Sequence, residues 1–291
     1  MNYATINNCS LKQYNTLKLE STAYLMLFPF NVNGVKEIYE KYKDKNIIII
    51  GKGSNILLSK VYYNENFVFL NFKLMDSIEL MDGSIFVEAG ATLSNLCWYA
   101  VENNIKALEF LEDVPGSVGG AIIMNAGTYE ETIGQLAEQV TYYDIEQNAI
   151  LTDKVVDDDF GRRQSKWDHY NIVVLSCRLK AESGNYIESL ERVLSNKKKR
   201  YMKQPRNYPN AGSVFKRPSL DGVDFYVWKL FEELELRGYR KNGAMISEKH
   251  PGFIVNTGNA RYEDISFLIN LAKEKVKSEF GITLELEWKV I

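Results

Sequence analysis

Two glycine-rich stretches carry the clearest chemical signal in this sequence. Gly51-Lys52-Gly53-Ser54-Asn55 follows the apolar run Ile47–Ile50. Pro115-Gly116-Ser117-Val118-Gly119-Gly120-Ala121-Ile122-Ile123-Met124-Asn125-Ala126-Gly127 holds four of the chain's 19 glycines. Glycine admits positive φ and lets backbone N–H groups come close to a ligand, and successive N–H groups in such turns make concavities that suit phosphate oxygens. Two such loops in one chain suit a dinucleotide better than a lone phosphate. Neither follows the G-x-x-x-x-G-K-[ST] frame of a P-loop, and no G-x-G-x-x-G opens a helix. Tight turns between strands are the alternative reading.

The rest of the composition narrows the chemistry further. Among 291 residues there are two histidines (His169, His250) and three scattered cysteines (Cys9, Cys97, Cys177). That excludes a Cys/His zinc framework and a disulfide-stapled scaffold, both of which need clustered ligands or paired cysteines. Chemistry must therefore come from Arg, Ser, Glu, Lys or Tyr, or from a bound cofactor. A net charge of −3 argues against broad nucleic-acid binding. The first residues show neither a basic region nor an apolar core of a signal peptide, and no apolar run approaches the roughly 20 residues a bilayer span needs. The expectation is a cytoplasmic protein with no membrane or nucleic-acid partner and no metal.

These loops need elements to hold them. Val35, Ile38, Tyr39 and Tyr42 recur at helical spacing, ahead of a buried-type strand at Ile47–Ile50. Strands are expected at Phe67–Phe72 and Ser84–Glu88, and a helix over Leu93, Leu96, Cys97, Ala100 and Val101, where Cys97 reads as a small core hydrophobe. Alternation at Val140–Tyr142 and the run Ile172–Leu179 predict strands. A helix is expected over Tyr186–Arg200, with the basic run Lys197–Arg200 as its solvated end. Four of the six prolines (Pro205, Pro209, Pro218, Pro251) then fall close together, which places a unit boundary near residue 204. The length itself allows roughly two units. Beyond the boundary the pattern predicts a helix near Phe225–Arg237 ended by Gly238, a helix over Tyr262–Phe280 and a terminal strand Thr283–Val290.

Taken in order, the motifs resemble the UDP-N-acetylenolpyruvoylglucosamine reductase (UDP-N-acetylmuramate dehydrogenase) family, in its compact type that lacks an extra substrate-covering loop. They are Asn15-Thr16, Gly51–Leu57, Pro115–Gly127, Arg163-Gln164-Ser165, Gln204-Pro205, Pro209–Pro218, Gly238–Asn256 and Leu284–Glu287. The resemblance implies an α+β fold: a two-part FAD-binding region of vanillyl-alcohol-oxidase (PCMH) type over residues 1–204, split near residue 72, and a C-terminal α+β substrate-binding domain over 205–291. It implies non-covalent FAD, NADPH as co-substrate, and UDP-N-acetylglucosamine enolpyruvate as substrate, in peptidoglycan precursor synthesis. A monomer or weak dimer is expected.

By the same resemblance Gly51, Lys52, Gly53, Ser54, Asn55, Pro115, Gly116, Ser117, Gly119, Gly120, Asn125, Ala126 and Gly127 contact the cofactor. Arg163, Ser213 and Glu287 are the catalytic positions, and Lys216, Arg217 and Tyr239 contact substrate. The implied reaction adds hydride to the enolpyruvyl C3 and a proton to C2, with negative charge developing toward the carboxylate between the two. A guanidinium at 163 suits that carboxylate because its planar fork binds bidentately. Glu287 would be its companion, as a protonated acid or through a polarised water, and Ser213 would deliver the proton, with Lys216 the nearest cation in sequence. On the residues alone, Ser213 also reads as a turn residue, Arg163 as a surface partner for Asp157–Asp159, and Glu287 as an exposed position on an edge strand. The chain departs from the family pattern in three places. Arg162 stands where tyrosine is usual, Arg217 where asparagine is usual, and Glu112-Asp113-Val114 where Ala-Gly-Ile is usual. A flavin- or UDP-sugar-binding paralogue with weak or altered activity is the alternative these departures keep open.

Overall fold

The computed structural model describes residues 2–128, 130–169 and 171–291. The chain divides into two compact units: Met1–Asn7 with Leu25–Gly51 and Glu65–Arg200, and Asn8–Tyr24 with Lys52–Asn64 and Tyr201–Ile291.

In the first unit, helix α1 (Val32–Lys41) begins three residues earlier than its apolar spacing implies. The Asn31 side chain accepts from the Gly34 amide and caps it. Val35 and Ile38 of α1 pack with Leu25, Leu27, Val68, Leu70, Tyr143, Val173 and Leu175 in one core cluster. The strand Asn46–Ile49 pairs in parallel with the end of Tyr62–Leu70, from Asn46 opposite Phe67 to Ile49 opposite Leu70. The buried-type reading of this strand is corrected: Ile47 and Ile48 are half-buried and Ile49 is 42% exposed, because the strand lies at a sheet edge. Only Ile50, just past it, is fully enclosed.

The larger core of this unit lies between helices and an antiparallel five-stranded sheet. Its strand order is Ile78–Met81, Ser84–Glu88, Ile172–Lys180, Ala137–Asp144, Ala149–Lys154. Helix α2 (Leu93–Glu102) is capped by Thr92 and buries Leu93, Leu96, Cys97, Ala100 and Val101, the stripe its sequence spacing predicts. Helix α3 (Val118–Met124) adds Val118, Ala121 and Ile122 to that core, and the single-turn α4 (Ile133–Leu136) adds Ile133. Cys97 and Cys177 are buried in the same cluster as small apolar side chains. Helix α5 (Tyr186–Lys203) follows, and the unit ends within it at Arg200. Its basic run is not simply a solvated end: Lys198 and Lys199 are exposed, but Lys197 bonds Glu112 and Arg200 lies near Asp113.

The second unit gathers helix α6 (Val227–Glu233), helix α7 (Tyr262–Phe280) and an antiparallel three-stranded sheet of Arg240–Lys241, Ala244–Ile246 and Ile254–Asn256. Helix α7 has the predicted bounds. It buries Ile265, Leu268, Ile269, Ala272 and Val276 and ends on Gly281 at φ +68°. Helix α6 is shorter than Phe225–Arg237, and Gly238 does not end it. Leu234 closes the helix, Glu235 turns to φ +54°, and the Gly238 amide donates to Ile246 in the following hairpin. The terminal segment is likewise less regular than expected. Only Lys289–Val290 is a strand, parallel to Ile56–Leu57. Residues 285–287 share their backbone bonds with the 214–216 stretch, through a single bridge between Phe215 and Leu286. The change of partner breaks the ladder, and the alternation fails with it: Leu284 and Trp288 are buried but Val290 is 46% exposed.

Candidate functional site

Within the first unit, Gly51 meets the second glycine stretch. The Asn71 amide donates to the carbonyls of Ile50 (2.7 Å) and Gly51 (3.0 Å), which fixes the chain as it leaves the strand. Gly51 then passes so close to Ser117 that a Cβ on it would lie 2.5 Å from the Ser117 hydroxyl. The start of α3 is held in the same manner. Val118 and Gly119 amides donate to the carbonyls of Ala91 and Ala89, and a Cβ at Gly119 would sit 2.9 Å from the Ala89 methyl. Gly120 is exposed, and its missing Cβ would meet only the Ser117 hydroxyl, at 3.6 Å. Its amide lies in the first helical turn, where N–H groups have no partner four residues back. The loop is thus packed tightly on the side of Gly51 and Gly119, and Gly120 lies on its exposed side.

The end of that stretch anchors Arg163. Asn125 takes the left-handed conformation (φ +43°) at the end of α3. Its side chain accepts from the Gly134 amide (3.0 Å) and donates to the Gly161 carbonyl (2.9 Å). Phe160–Gly161 and Gln164–Ser165 form a two-stranded hairpin with Arg162-Arg163 at its turn. Arg163 is the second turn residue, at φ +57°, a conformation that arginine adopts only under local constraint. Its Nη1 donates to the Gly127 carbonyl at 3.2 Å, and the Ser165 hydroxyl donates to Ile123. The suggestion that Arg163 pairs with Asp157–Asp159 is replaced by this anchor; the buried Asp159 pairs with Lys166 at 3.0 Å. Ala126 accepts from the Ile133 amide, Arg162 is exposed, and Pro115 is exposed beside the half-buried Gly116.

The second unit assembles the other group. Gly53 (φ +64°) crosses the chain at Tyr14, where a Cβ would lie 2.0 Å from the carbonyl oxygen. Thr16 donates to the Gly53 carbonyl through its amide (3.0 Å) and its hydroxyl (3.2 Å). Buried Asn15 braces the turn behind it by bonding the backbone of Leu11 and Leu19. Lys52 is exposed and Ser54 half-buried. The Asn55 amide donates to the Glu287 carbonyl at 3.0 Å, and the Glu287 amide donates to Val214 at 2.9 Å. The backbone of Glu287, a half-buried residue, is thus held by Asn55 and by Val214, the residue after Ser213.

The serine loop is set by Asn210. Its amide donates to Pro205 and Tyr208, and its carbonyl oxygen accepts from Gly212, which sits at φ +78°. Ala211 and Val214 are buried and leave Ser213 exposed between them; the Ser213 hydroxyl has no hydrogen-bond partner among the described residues. Gly252 accepts from Val214, and His250 underlies that contact. Its Nδ1 accepts from the Gly252 amide at 3.2 Å and its ring packs edge-on against Phe253. Burial, with a smaller push from Arg237, lowers the His250 pKa from its ordinary value. Neutral His250 is a support for the loop. Lys216 pairs with Glu285 at 3.6 Å, Arg217 stacks 4.1 Å over the Tyr226 ring, and Tyr239 stands exposed at the head of the hairpin. Asn71 is a support that motif reading missed, although a polar residue at the end of an apolar strand was an available signal; His250 reads from sequence as a structural or cofactor-edge contact rather than an acid/base, and its bonds here are structural.

Several known proteins are similar to this chain. The sequence model of the UDP-N-acetylenolpyruvoylglucosamine reductase C-terminal domain matches residues 204–291, and that of an FAD binding domain matches 25–146. The UDP-N-acetylenolpyruvoylglucosamine reductase of Caldicellulosiruptor bescii is 38% identical over 97% of this chain and 88% of its own length. That of Thermotoga maritima is 34% identical over 96% of each. The crystal structure of the reductase from Thermus caldophilus superposes with a TM-score of 0.81 at 29% identity, covering 100% of this chain and 99% of that one. The two-part architecture, an FAD-binding domain followed by the reductase C-terminal domain, accords with the fold class expected from sequence. By this identity and coverage, the chain belongs to the UDP-N-acetylenolpyruvoylglucosamine reductase family.

Proposed function

We propose that this chain reduces UDP-N-acetylglucosamine enolpyruvate to UDP-N-acetylmuramate in the cytoplasm, with FAD bound non-covalently and NADPH as electron donor. The observation that supports the site assignment is the double anchorage of the Glu287 backbone, by Asn55 and by Val214, the residue that follows the exposed Ser213. The Glu287 backbone is bonded to Val214, the neighbour of Ser213, whose hydroxyl has no hydrogen-bond partner among the described residues. Bound FAD would supply hydride to the substrate C3. Gly51, Ser117, Gly119 and Gly120 would hold its pyrophosphate, with Lys52–Asn55, Pro115, Gly116 and Asn125–Gly127 completing the cradle. Residues 1–204 would form the cofactor region and 205–291 the substrate domain.

The protein's own part is charge and a proton. Arg163 binds the substrate carboxylate, which lowers the energy of the negative charge that develops as C2 becomes carbanionic. Glu287 completes that environment, and Ser213 delivers its proton to C2. Lys216, Arg217 and Tyr239 bind the nucleotide-sugar portion. The test is anaerobic: reduce the flavin with NADPH, add UDP-N-acetylglucosamine enolpyruvate and follow reoxidation. Reoxidation should be stoichiometric in the wild type and slower by at least about 10²-fold in Ser213→Ala. A reduced flavin that this substrate leaves reduced would sink the assignment. Ser213→Ala reoxidising at the wild-type rate would remove Ser213 as the donor. Sedimentation should find a monomer or weak dimer.

A further inference from the structure

Helix α5 turns polar residues inward and large apolar ones outward. Of its 18 residues only Ser189 and Val193 are buried. Polar bonds hold that inner side: Ser189 donates to Glu109 Oε1 at 2.6 Å, Asn196 donates to the Glu109 carbonyl, and Lys197 pairs with Glu112 at 2.9 Å. On the other side stand Ile187, Leu194 and Tyr201, which are 59%, 54% and 63% exposed. Seven-residue spacing keeps the three on one face, with a drift of only about 20° per step. Met202 is exposed beside Tyr201, and half-buried Leu190 flanks Leu194. Lys249 lies over the Tyr201 ring at 5.0 Å and leaves most of that side chain open. A surface helix ordinarily buries its apolar stripe and turns its polar face to water. Here the order is reversed, so the stripe adds little to the core of its own chain and has the character of a contact surface.

The charges around the stripe are sorted along the helix. Glu188 and Glu191 stand in its first half, Lys198 and Lys199 in its second, and all four are exposed. Glu191 and Lys198 border Leu194 at i−3 and i+4, the positions that neighbour it on a helix surface. A second copy of the same helix complements this pattern when it lies antiparallel. The acidic half of each copy then lies against the basic half of the other, and the two contacts are equivalent by two-fold symmetry. Leu194 meets its own counterpart near the axis, and Ile187 of one copy meets Tyr201 of the other. A parallel pair would set glutamates on glutamates and lysines on lysines. An anionic surface would match only the second half of the helix.

We propose that the outer face of α5 is a self-association surface, on which a second copy of this chain docks antiparallel about a two-fold axis near Leu194. At about 1.5 Å per residue the helix is about 27 Å long. One such helix from each copy buries less than the roughly 1,200 Å² of a stable complex, so the dimer is a weak, micromolar one. The interface is independent of the assigned reaction.

Sedimentation velocity of the full chain, with FAD bound, is the test. From about 5 to about 500 μM the wild type should pass reversibly from monomer to dimer. Leu194→Glu sets two carboxylates against each other at the axis and should weaken the dimer at least about 30-fold. Glu191→Lys and Lys198→Glu should each weaken it about tenfold, and a chain carrying both changes should return to within about threefold of wild type. An equimolar mixture of the two single variants should form the mixed dimer. A wild type that stays monomeric throughout overturns the proposal, as does a dimer that Leu194→Glu leaves intact. A doubly changed chain no tighter than the single variants overturns the antiparallel two-fold pairing. A monomer that sediments with phosphatidylglycerol vesicles, and stops doing so with Leu194→Glu, would give the face to a membrane surface and end the proposal equally. All three positions are exposed, and thermal unfolding of each variant confirms that the protein compared is folded. The readout is molecular mass, so failure here is distinct from failure of the reoxidation assay.

Discussion

Gly51→Ala isolates the contact on which the proposed cofactor cradle would depend. A Cβ built on Gly51 lies 2.5 Å from the Ser117 hydroxyl oxygen and 3.5 Å from the Ser117 Cβ. The second distance is an ordinary contact and the first is not, so the whole conflict resides in one oxygen atom. Gly51 is not in the left-handed region, so alanine brings no backbone strain of its own. Opening 2.5 Å to a normal carbon–oxygen separation requires a displacement of roughly 0.8 Å by a nearly buried serine or by the loop carrying it, an overpacking that costs about 1–3 kcal/mol. Ser117→Ala removes that oxygen and should restore the fit. The assay is a double-mutant cycle read by thermal unfolding of the apoprotein and by FAD affinity from flavin fluorescence. Gly51→Ala should lower both. Ser117→Ala should have a small effect alone, and the double variant should recover most of the loss, with a coupling energy near 1–2 kcal/mol. Additive effects would refute the packing argument. Gly53→Ala provides the contrast, because its Cβ would lie 2.0 Å from a backbone oxygen at φ +64°; no side-chain substitution should rescue it.

Three further outcomes follow from the same geometry. Asn71→Ala leaves the Ile50 and Gly51 carbonyls without their donor, and should cost about 1–3 kcal/mol on chemical denaturation and weaken FAD binding; a variant as stable as wild type would dismiss Asn71 as an anchor. His250 has a pKa below its unfolded value of 6.5 because burial disfavours the charged ring. The unfolded chain therefore takes up a proton first, and stability should decline as pH falls below about 6.5 and go on declining toward the lower folded pKa. His250→Gln should flatten that slope in denaturation series from pH 8 to 5, and an unchanged slope would count against it. Burial pushes the Cys97 thiol up to about 12 and raises Cys177 as well, so neither should react with a thiol-directed reagent at pH 8 until the chain is unfolded.

What the sequence made legible divides along physical lines. Helices α2 and α7 were readable because apolar residues at 3.6-residue spacing have one way to be buried, and their stripes fill the two cores. The run Ile47–Ile50 misled because apolar composition reports what a strand could bury and not its place in a sheet; at an edge, Ile49 remains exposed. Gly238 misled for a related reason. Positive φ serves a hairpin as well as a helix end, and only the long-range bond from its amide to Ile246 decides between them. The terminal strand was overdrawn because alternation cannot reveal that residues 285–287 and 289–291 bond to different partners.

The same limit explains why Glu287 and Arg163 could be named but not understood from sequence. Glu287 is held by backbone contacts with Asn55 and Val214, and Arg163 by a left-handed turn bonded to Gly127. The Glu287 contacts use its backbone and require no particular side chain there, whereas the Arg163 contact is made by its own guanidinium. Both also demand something of the residues around them: a glycine or asparagine that accepts positive φ, or an asparagine amide that reaches a backbone carbonyl. The information that sets such a group is therefore carried by neighbours such as Asn55, Asn125 and Asn210, whose conformational tolerance and short amide arms let them replace a missing backbone partner. Substituting these asparagines should disturb the functional groups more than their own solvent exposure suggests, because each one holds chain segments that have no regular ladder of their own.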